Sequence, residues 1–338
     1  MSAVFAELDA ATYRRHELHD AARPWPETNC HTDLFIEVLA TLGREPAAGL
    51  GMTVAQDFEG DQFTFFKMAS ADLETLFGLD VLELSIYRPL VDHVEEQIGR
   101  GHLMLVEVDA IHLPDTRGIT YGVDHSKTTI AINRFSRGAA TLGYFHNAGY
   151  FEIEGADVEA LLGFGAASAP VLPAYCEFVK TIGPGLEGRA LAETALNRLK
   201  GHWARRPRHN PLLAYRAALP RHLDWLSAQP PSAFHPYAFN TSRQFGANVA
   251  LLGHHLGWLG DTLNLPAAEA VALCERLSAA AKTFQFLLAR ALARKRFDQL
   301  DAALVAMAQD YDALTGALKE TLRFGGITEI PSLVPSGT

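Results

Sequence analysis

The pattern of apolar and polar positions changes near residue 165 and predicts two regions of different secondary structure. Before that point, short segments of alternating apolar and polar residues, typical of half-buried strands, are interspersed with segments of helical spacing. The pattern predicts helices at 30–42, 70–77 and 89–100, and strands at 63–67, 81–86, 102–108, 126–133 and 142–153. One helix followed mainly by strands that can pair antiparallel is typical of an α+β fold.

After residue 165 the apolar positions follow helical spacing almost throughout, interrupted by loops rich in proline and glycine. The predicted helices are 168–182, 187–205, 211–228, 241–259, 267–295 and 298–323. We therefore expect an α+β domain over residues 1–165, an all-α domain over residues 166–325 and a C-terminal tail over residues 326–338.

Composition and charge limit the classes of protein to which this chain could belong. The chain has 338 residues, 48% of them hydrophobic, and carries 29 basic against 39 acidic side chains, a formal net charge of −10. This balance argues against a general nucleic-acid binder, which is normally basic. The N-terminal residues lack the pattern of a signal peptide, and no run of eighteen apolar residues predicts a membrane span, so we expect a cytoplasmic protein.

Cys30 is the candidate nucleophile. It follows a polar loop and opens the apolar helical segment 30–42, whereas Cys176 and Cys274 lie within apolar segments typical of structural cysteines. A thiol on the first turn of a helix experiences the positive end of the helix dipole, which favours the thiolate. The three cysteines are too widely spaced to indicate a disulfide framework or a C-x-x-C metal site.

Two residues later in the chain complete the order Cys, His, Asn that is typical of papain-type cysteine enzymes. His125 precedes a predicted strand, from which an imidazole could take up and return the thiol proton. Asn147 comes later and could orient that imidazole through its other ring nitrogen. The alternative for His125 is that it stands before this strand by chance, since the chain has 14 histidines. The alternative for Asn147 is a simple turn, in which asparagine is common. The rival bases are His102, His112 and His146.

Motifs for other chemistries are missing. Adjacent His254 and His255 point about 100° apart on a helix, so they do not form a metal pair, and no H-E-x-x-H motif occurs. The chain has neither a phosphate-binding G-x-x-x-x-G-K-[ST] loop, nor a G-x-G-x-x-G motif after a strand, nor a G-x-S-x-G elbow. We therefore expect no metal and no cofactor.

Four sequence segments carry a family resemblance. They are the segment 27–33 around Cys30, the strand and Leu-Pro turn at 105–115, His125 leading a strand, and the aromatic segment 144–151. With these segments, most of the chain resembles the DUF1839 family. It is also distantly similar to the papain-like N-terminal domain of acyltransferases of the butirosin biosynthesis protein H type. One departure is that Pro24 and Trp25 stand where papain-like proteases carry an oxyanion-hole glutamine.

The resemblance implies a function. It implies a papain-like domain in which Cys30 is the nucleophile, His125 the base and Asn147 the third member. Because the glutamine is missing, the resemblance does not assign the oxyanion donors, and the Cys30 N–H and the Asn29 side chain are our candidates. It also implies transfer of an acyl or aminoacyl group from an acyl or aminoacyl carrier protein, whose phosphopantetheine thioester is the donor, to a small-molecule amine or hydroxyl acceptor. The alternatives are a peptidase, amidase or thioesterase with the same dyad, and a non-catalytic carrier-binding adaptor.

Two further features of the all-α region could serve such a function. Basic clusters at 200–209 and 290–296 are either docking sites for an acidic carrier or solvated helix ends. Aromatic residues could wall an acceptor pocket, although such residues more often belong to a core. They are Trp203, Trp225, Phe234, Tyr237, Phe239 and Trp258.

Overall fold

The structure, a computed structural model, describes residues 2–165 and 174–324. The chain forms two compact units, each assembled from separate segments. The first unit comprises Met1–Asp20, Asn29–Arg44 and Ala69–Gly185. The second comprises Ala21–Thr28, Glu45–Met68 and Leu186–Thr338. The first unit is a mixed α/β structure with an antiparallel sheet, and the second is helical.

The described elements of the first unit begin with β1 and α1 and end with β7. In chain order they are β1 (Ser2–Ala3), α1 (Cys30–Thr41), α2 (Ser70–Phe77), β2 (Leu79–Glu83), α3 (Leu90–Gly99), β3 (Leu103–Asp109), β4 (Lys127–Ser136), β5 (Thr141–His146), β6 (Gly149–Glu154), α4 (Ala156–Leu162) and β7 (Cys176–Thr181). The strands form one sheet in the order β2-β7-β3-β4-β5-β6, with β1 paired to one end of β4, and all pairings are antiparallel.

The two faces of this sheet are covered by different helices. Side chains alternate between the faces of a strand. Ile132 and Tyr144 face the apolar cluster that includes residues of α3 and α4. Their neighbour Phe145 points to the opposite face, where its ring contacts Tyr13, and the Tyr13 hydroxyl donates to Glu37 of α1 at 2.6 Å. Helix α1 therefore packs against β4, β5 and β6 on the face opposite to α3 and α4.

The helices of the second unit follow in sequence, with a buried 3₁₀ segment, Pro46–Ala55, packed against α5 and α8. They are α5 (Gly188–Ala204), α6 (Pro211–Ser227), α7 (Phe234–Ala238), α8 (Gln244–Leu263), α9 (Ala268–Arg294) and α10 (Asp298–Phe324). A π-helical segment, Phe239–Arg243, joins α7 to α8. Gly51 permits close approach to α8, because a Cβ atom there would lie 2.7 Å from His255 Nε2.

Aromatic side chains form much of the core of this helical unit. The Phe63 ring contacts Phe58, Tyr215 and Phe245, and Tyr215 also contacts Phe284 of α9. These contacts bring the segment around Phe63 into a helical core although it is distant in sequence from the helices. Aromatic pairs in such edge-to-face or tilted geometry add to the free energy gained from burial alone.

The structure confirms most of the predicted helices and corrects three predictions. The single strand predicted at 142–153 is two antiparallel strands, β5 and β6, joined by a turn at Asn147 with a left-handed backbone. Residues 63–67 are not a strand, since they make only an isolated bridge from Phe63 to Phe58; their apolar positions reflect burial among helices. The helix predicted over residues 168–182 is wrong where the structure describes it, because Cys176–Thr181 forms β7 between β2 and β3. Its remaining residues up to 173, and the predicted tail 326–338, lie outside the described residues.

Candidate functional site

Cys30 is the first residue of α1, and the residue before it caps the helix. The Asn29 side-chain oxygen accepts hydrogen bonds from the backbone N–H groups of His31 at 3.2 Å and Thr32 at 3.0 Å. Asn is among the preferred residues at this position because it satisfies N–H groups that lack partners within the helix. Asn29 is buried, and the Cys30 side chain is half-buried. The cap therefore fixes a partly accessible thiol on the first turn of α1.

The other two cysteines are inaccessible. Cys176 lies in β7 and is 1% exposed, and burial raises the pKa of its thiol to about 12. Cys274 lies in α9 and is fully buried, and burial raises its pKa as well. Reaction of a cysteine requires both access and the thiolate form. Among the three thiols, all within the described residues, Cys30 alone has the access that a nucleophile needs.

His125 lies just before β4 and is held by Asp109 at the end of β3. Its Nδ1 atom makes a short hydrogen bond to Asp109 Oδ2, while 78% of the His125 side chain is exposed. The hydrogen bond and negative charge of Asp109 raise the pKa of His125. Because Nδ1 is engaged, Nε2 of the exposed ring is the nitrogen available for proton transfer.

The Asp109 carboxylate is itself fixed by two backbone groups. Its Oδ1 atom accepts hydrogen bonds from the N–H groups of Ser126 at 3.1 Å and Ile111 at 3.2 Å. Partial burial alone would raise the pKa of Asp109, but the hydrogen bonds from His125, Ile111 and Ser126 outweigh it and lower the pKa. Asp109 thus makes a contact to His125 of the kind that the sequence analysis expects from Asn147. The signal was visible in the sequence, because a valine-rich strand ends in this aspartate.

Asn147 lies in the turn between β5 and β6, with a left-handed backbone (φ 44°). The hydrogen bond described for the His125 side chain goes to Asp109 and not to Asn147. The role of Asn147 as the third member of the site therefore stays a prediction.

Strand alternation places the His125–Asp109 pair on the same side of the sheet as α1. Val106 and Val108 of β3 belong to the cluster with α3 and α4, so Glu107 and Asp109 point to the other face. The ion pair from Lys127 to Glu107 at 2.8 Å lies on that face too. Cys30 and His125 therefore lie on the same side of the sheet, but no contact between their side chains is described.

The rival histidines have different surroundings. His146 is buried on the opposite face, where its Nδ1 bonds Asp115 at 2.6 Å and its Nε2 bonds Thr128 at 2.8 Å. Tyr144 also donates to Asp115, at 2.6 Å. Both nitrogens of His146 are therefore engaged in a structural network. His102 bonds Gln97 at 2.9 Å and stacks on a phenylalanine of β7.

A buried charged cluster, which the sequence did not reveal, lies on the helix that carries Cys30. His19 Nδ1 makes a short contact with Glu37 Oε1, and His19 Nε2 lies 3.5 Å from Asp33 Oδ1. Burial alone would lower the pKa of His19, but hydrogen bonds and charge interactions with Asp33 and Glu37 raise it to about 9. At spacings of three and four residues, Cys30, Asp33 and Glu37 share one side of α1. The cluster therefore links α1 to the segment that carries His19.

Family models match nearly the whole chain. The DUF1839 N-terminal domain matches residues 14–181, and the DUF1839 C-terminal domain matches residues 188–320. The chain belongs to the DUF1839 family. The N-terminal domain of this DUF1839 protein contains Cys30, Asp109, His125 and Asn147. No curated protein matched the chain.

The described part of this DUF1839 protein contains neither a membrane-spanning helix nor a group of metal ligands. Within residues 2–165 and 174–324, no helix has the length and apolar character needed to cross a membrane. Over the same described ranges, no three His, Cys, Asp or Glu side chains form a group that could hold a metal ion.

Proposed function

We propose that this DUF1839 protein is a cysteine acyltransferase with a papain-like arrangement of Cys30 and His125. Its donor is an acyl or aminoacyl thioester on the phosphopantetheine of a carrier protein, and its acceptor is a small-molecule amine or hydroxyl. The acyl group is held on Cys30 between the two half-reactions.

One observation carries the proposal. The one accessible thiol of the chain opens α1, and an exposed imidazole oriented by a carboxylate lies on the same side of the sheet. A nucleophile, a base and a group that orients the base are the three parts that cysteine acyl transfer requires. In this arrangement Asp109 is the orienting group, because it fixes Nδ1 and favours the imidazolium.

The proposed reaction has two balanced steps. In the first, His125 Nε2 takes the Cys30 proton, the thiolate attacks the thioester carbonyl, and the carrier thiol leaves with the proton from the imidazolium. In the second, His125 takes a proton from the acceptor, whose nitrogen or oxygen attacks acyl-Cys30. The C–S bond then breaks, and the departing Cys30 thiolate takes the proton back from the imidazolium. Exclusion of water during the second step separates transfer from hydrolysis.

The two basic clusters differ as docking sites for an acidic carrier. In the first, Arg206 lies 3.7 Å over the Trp203 ring and donates to the Trp203 carbonyl, and Arg205 bonds His202. In the second, exposed guanidinium groups surround a cleft of about 120 Å³ between the end of α9 and the start of α10. They belong to Arg290, Arg294 and Arg296. The second cluster is therefore the better proposed docking site.

Charge reversal tests this docking site. We expect Arg294→Glu with Arg296→Glu to raise the apparent KM for a carrier-bound donor and to leave turnover of an acyl-pantetheine nearly unchanged. The effect should weaken at high salt, since exposed charges are screened over about 8 Å at physiological ionic strength. Arg205→Glu is the control, with a smaller expected effect. Equal losses with both donors would exclude a docking role.

Intact-protein mass spectrometry tests the proposed function itself. Mixing the protein with a panel of acyl- and aminoacyl-carrier proteins should add the mass of one acyl group to the wild type and none to Cys30→Ser. His125→Ala should slow the addition by about 100-fold or more, whereas the control His112→Ala should not. Consumption of the adduct only with an amine or hydroxyl acceptor supports transfer, and its loss to water supports the hydrolase alternative. No adduct with any donor would contradict the proposal.

A further inference from the structure

The helical unit contains a second concave site, unrelated to Cys30 and His125. A cavity of about 750 Å³ lies between the loop 59–62, helix α6 and the segment leading into α8. This volume is within the range of small-molecule sites, which are concave, mostly apolar and equipped with a few polar groups. Its walls include Asp61, Arg221, His222, Trp225, Tyr237 and Asn240.

Two aromatic rings form the apolar wall of this cavity. Trp225 is 51% exposed, although most aromatic side chains of this unit are buried in its core. The Tyr237 ring is held in place because its hydroxyl bonds the buried Tyr215 hydroxyl at 3.0 Å and His222 Nδ1 at 2.9 Å. The cavity therefore combines an accessible indole with a fixed phenol ring.

The loop at the mouth of the cavity is also fixed. A bridge between Phe58 and Phe63 closes the loop, and Gly60 takes a left-handed conformation (φ 96°) at its tip. The Gly60 carbonyl accepts a hydrogen bond from Arg221 at 2.8 Å. This geometry places the carboxylates of Glu59 and Asp61 at the mouth without requiring the loop to become ordered when a ligand binds.

The charges at the mouth favour a cation. Two carboxylates, those of Glu59 and Asp61, face one guanidinium, that of Arg221, which already donates to the Gly60 carbonyl. Burial, together with the charge of Arg221, lowers the pKa of His222, so its ring adds no charge at neutral pH. Glu59 also accepts a hydrogen bond from the Thr64 hydroxyl at 3.0 Å, and the Asp61 carboxylate lies close enough to His222 to interact with it electrostatically.

The floor of the cavity includes a residue of the π-helical segment. Asn240 lies in Phe239–Arg243, its carbonyl accepts from the Phe63 N–H at 2.9 Å, and its side chain donates to the Pro236 carbonyl at 2.8 Å. π-Helical turns are rare and are frequently found at functional sites. The departure from α-helical geometry at the cavity floor is thus a second, independent feature of a binding site.

We propose that this cavity binds a small organic amine as its ammonium form, with an aromatic or apolar body. The ammonium group lies near Asp61 and Glu59 and against the face of Trp225 or Tyr237, while the body of the ligand fills the apolar part of the cavity. Cations are attracted to the faces of tryptophan and tyrosine rings, and more strongly where water is displaced. The inference does not rest on the proposed acyl transfer.

Isothermal titration with matched amines and acids tests the proposal. The probes are tryptamine and tyramine, compared with indole-3-propionate and 3-(4-hydroxyphenyl)propionate, which carry a carboxylate on the same rings. We expect the full-length protein to bind at least one amine with a Kd about tenfold or more below that of its matched acid. Trp225→Ala and Asp61→Asn should each raise that Kd severalfold.

Matched variants separate loss of the site from loss of folding. Phe286→Ala removes a 60% exposed aromatic ring of α9, and Asp261→Asn removes an exposed carboxylate of α8; both residues lie outside the cavity, and neither substitution should change the Kd. Cys30→Ser should also bind the amine normally, which keeps this test independent of acyl transfer. Absence of amine binding, equal affinity for the acids, or unchanged binding in both cavity variants would overturn the proposal.

Discussion

The two units bury their polar side chains in different ways. The sheet-containing unit buries charge, since His19, whose pKa is raised to about 9, is enclosed with Asp33 and Glu37. The helical unit buries a neutral chain of hydrogen bonds from Tyr215 through Tyr237 to His222, with the pKa of His222 lowered by burial. Its ion pairs, such as Arg276 with Asp310, lie at the surface.

This difference between the units shows where the protein retains a buried ion pair. Desolvation of a buried ion pair offsets much of its attraction, so such a pair is weak evidence for stability, yet removal of one partner is strongly destabilising. In this protein the buried charge lies on α1, the helix that presents Cys30. We infer that the cluster fixes the position of α1, whereas the helical unit relies on aromatic packing.

Removal of His19 should have the largest effect. His19→Ala leaves Asp33 and Glu37 buried without their cation, and we expect it to lower the free energy of unfolding by about 3–5 kcal/mol. Arg276→Ala in the helical unit is the matched variant and should cost about 0–1 kcal/mol, because its ion pair is exposed. Urea denaturation measures both values. Similar losses for the two variants would remove the contrast between the units.

The pH dependence of stability should reflect the opposite pKa shifts of the two buried histidines, His19 and His222. The folded-state pKa of His19, about 9, lies above its ordinary value of 6.5, so its stabilisation is complete below pH 6.5 and is lost as the pH rises through about 9. The folded-state pKa of His222 is lowered, so its effect on stability runs in the opposite direction. Its contribution to the free energy of unfolding is lost as the pH falls below 6.5. Unfolding free energies measured from pH 6 to 9.5 should fall in the wild type and fall less in His19→Gln. An equal fall in the variant would assign the effect to other groups.

The Asp109 contact should be visible in the titration of His125. Asp109→Asn removes the carboxylate that raises the pKa of His125, so the pKa should move down towards 6.5. NMR titration of the imidazole protons measures it directly. If His125 acts as the base, the acidic limb of the pH–rate profile should move to lower pH together with this pKa, and the maximal rate should fall. An unchanged His125 titration would show that the hydrogen bond does not form in solution.

Loss of the cap on α1 should have a much smaller effect on stability than loss of His19. Asn29→Ala removes the acceptor for the His31 and Thr32 N–H groups and should lower the free energy of unfolding by about 1 kcal/mol. Asn29→Asp keeps an acceptor at the cap and should restore most of that loss. Equal stability of Asn29→Ala and the wild type in urea denaturation would show that the cap contributes nothing.

Local sequence signals predicted much of the fold. Apolar periodicity predicts α2, and the left-handed Gly78 (φ 62°) follows its last residue, Phe77, as the C-cap. The local pattern at Cys176–Thr181 predicts a helix although the segment is a strand, because its pairing with β2 and β3 depends on residues far away in the sequence. The pattern around Phe63 predicts a strand because burial among helices can produce the same run of apolar positions.

Long-range contacts also limited prediction of the site. The accessibility of Cys30 and the burial of the other two cysteines agree with their sequence contexts. The pairing of His125 with Asp109 depends on β3 lying beside β4, which no local pattern specifies. The cluster of His19 with Glu37 likewise joins an irregular N-terminal segment to α1 through tertiary contacts.

The most direct test of the central claim, that Cys30 is the reactive thiol of this protein, needs no substrate. The folded protein is titrated with iodoacetamide, and the modified cysteines are identified by peptide mapping. We expect Cys30 to be alkylated first and nearly alone, because Cys176 and Cys274 are buried and their thiol pKa values are raised. Alkylation of Cys176 or Cys274 before Cys30, with the fold intact by circular dichroism, would contradict the account.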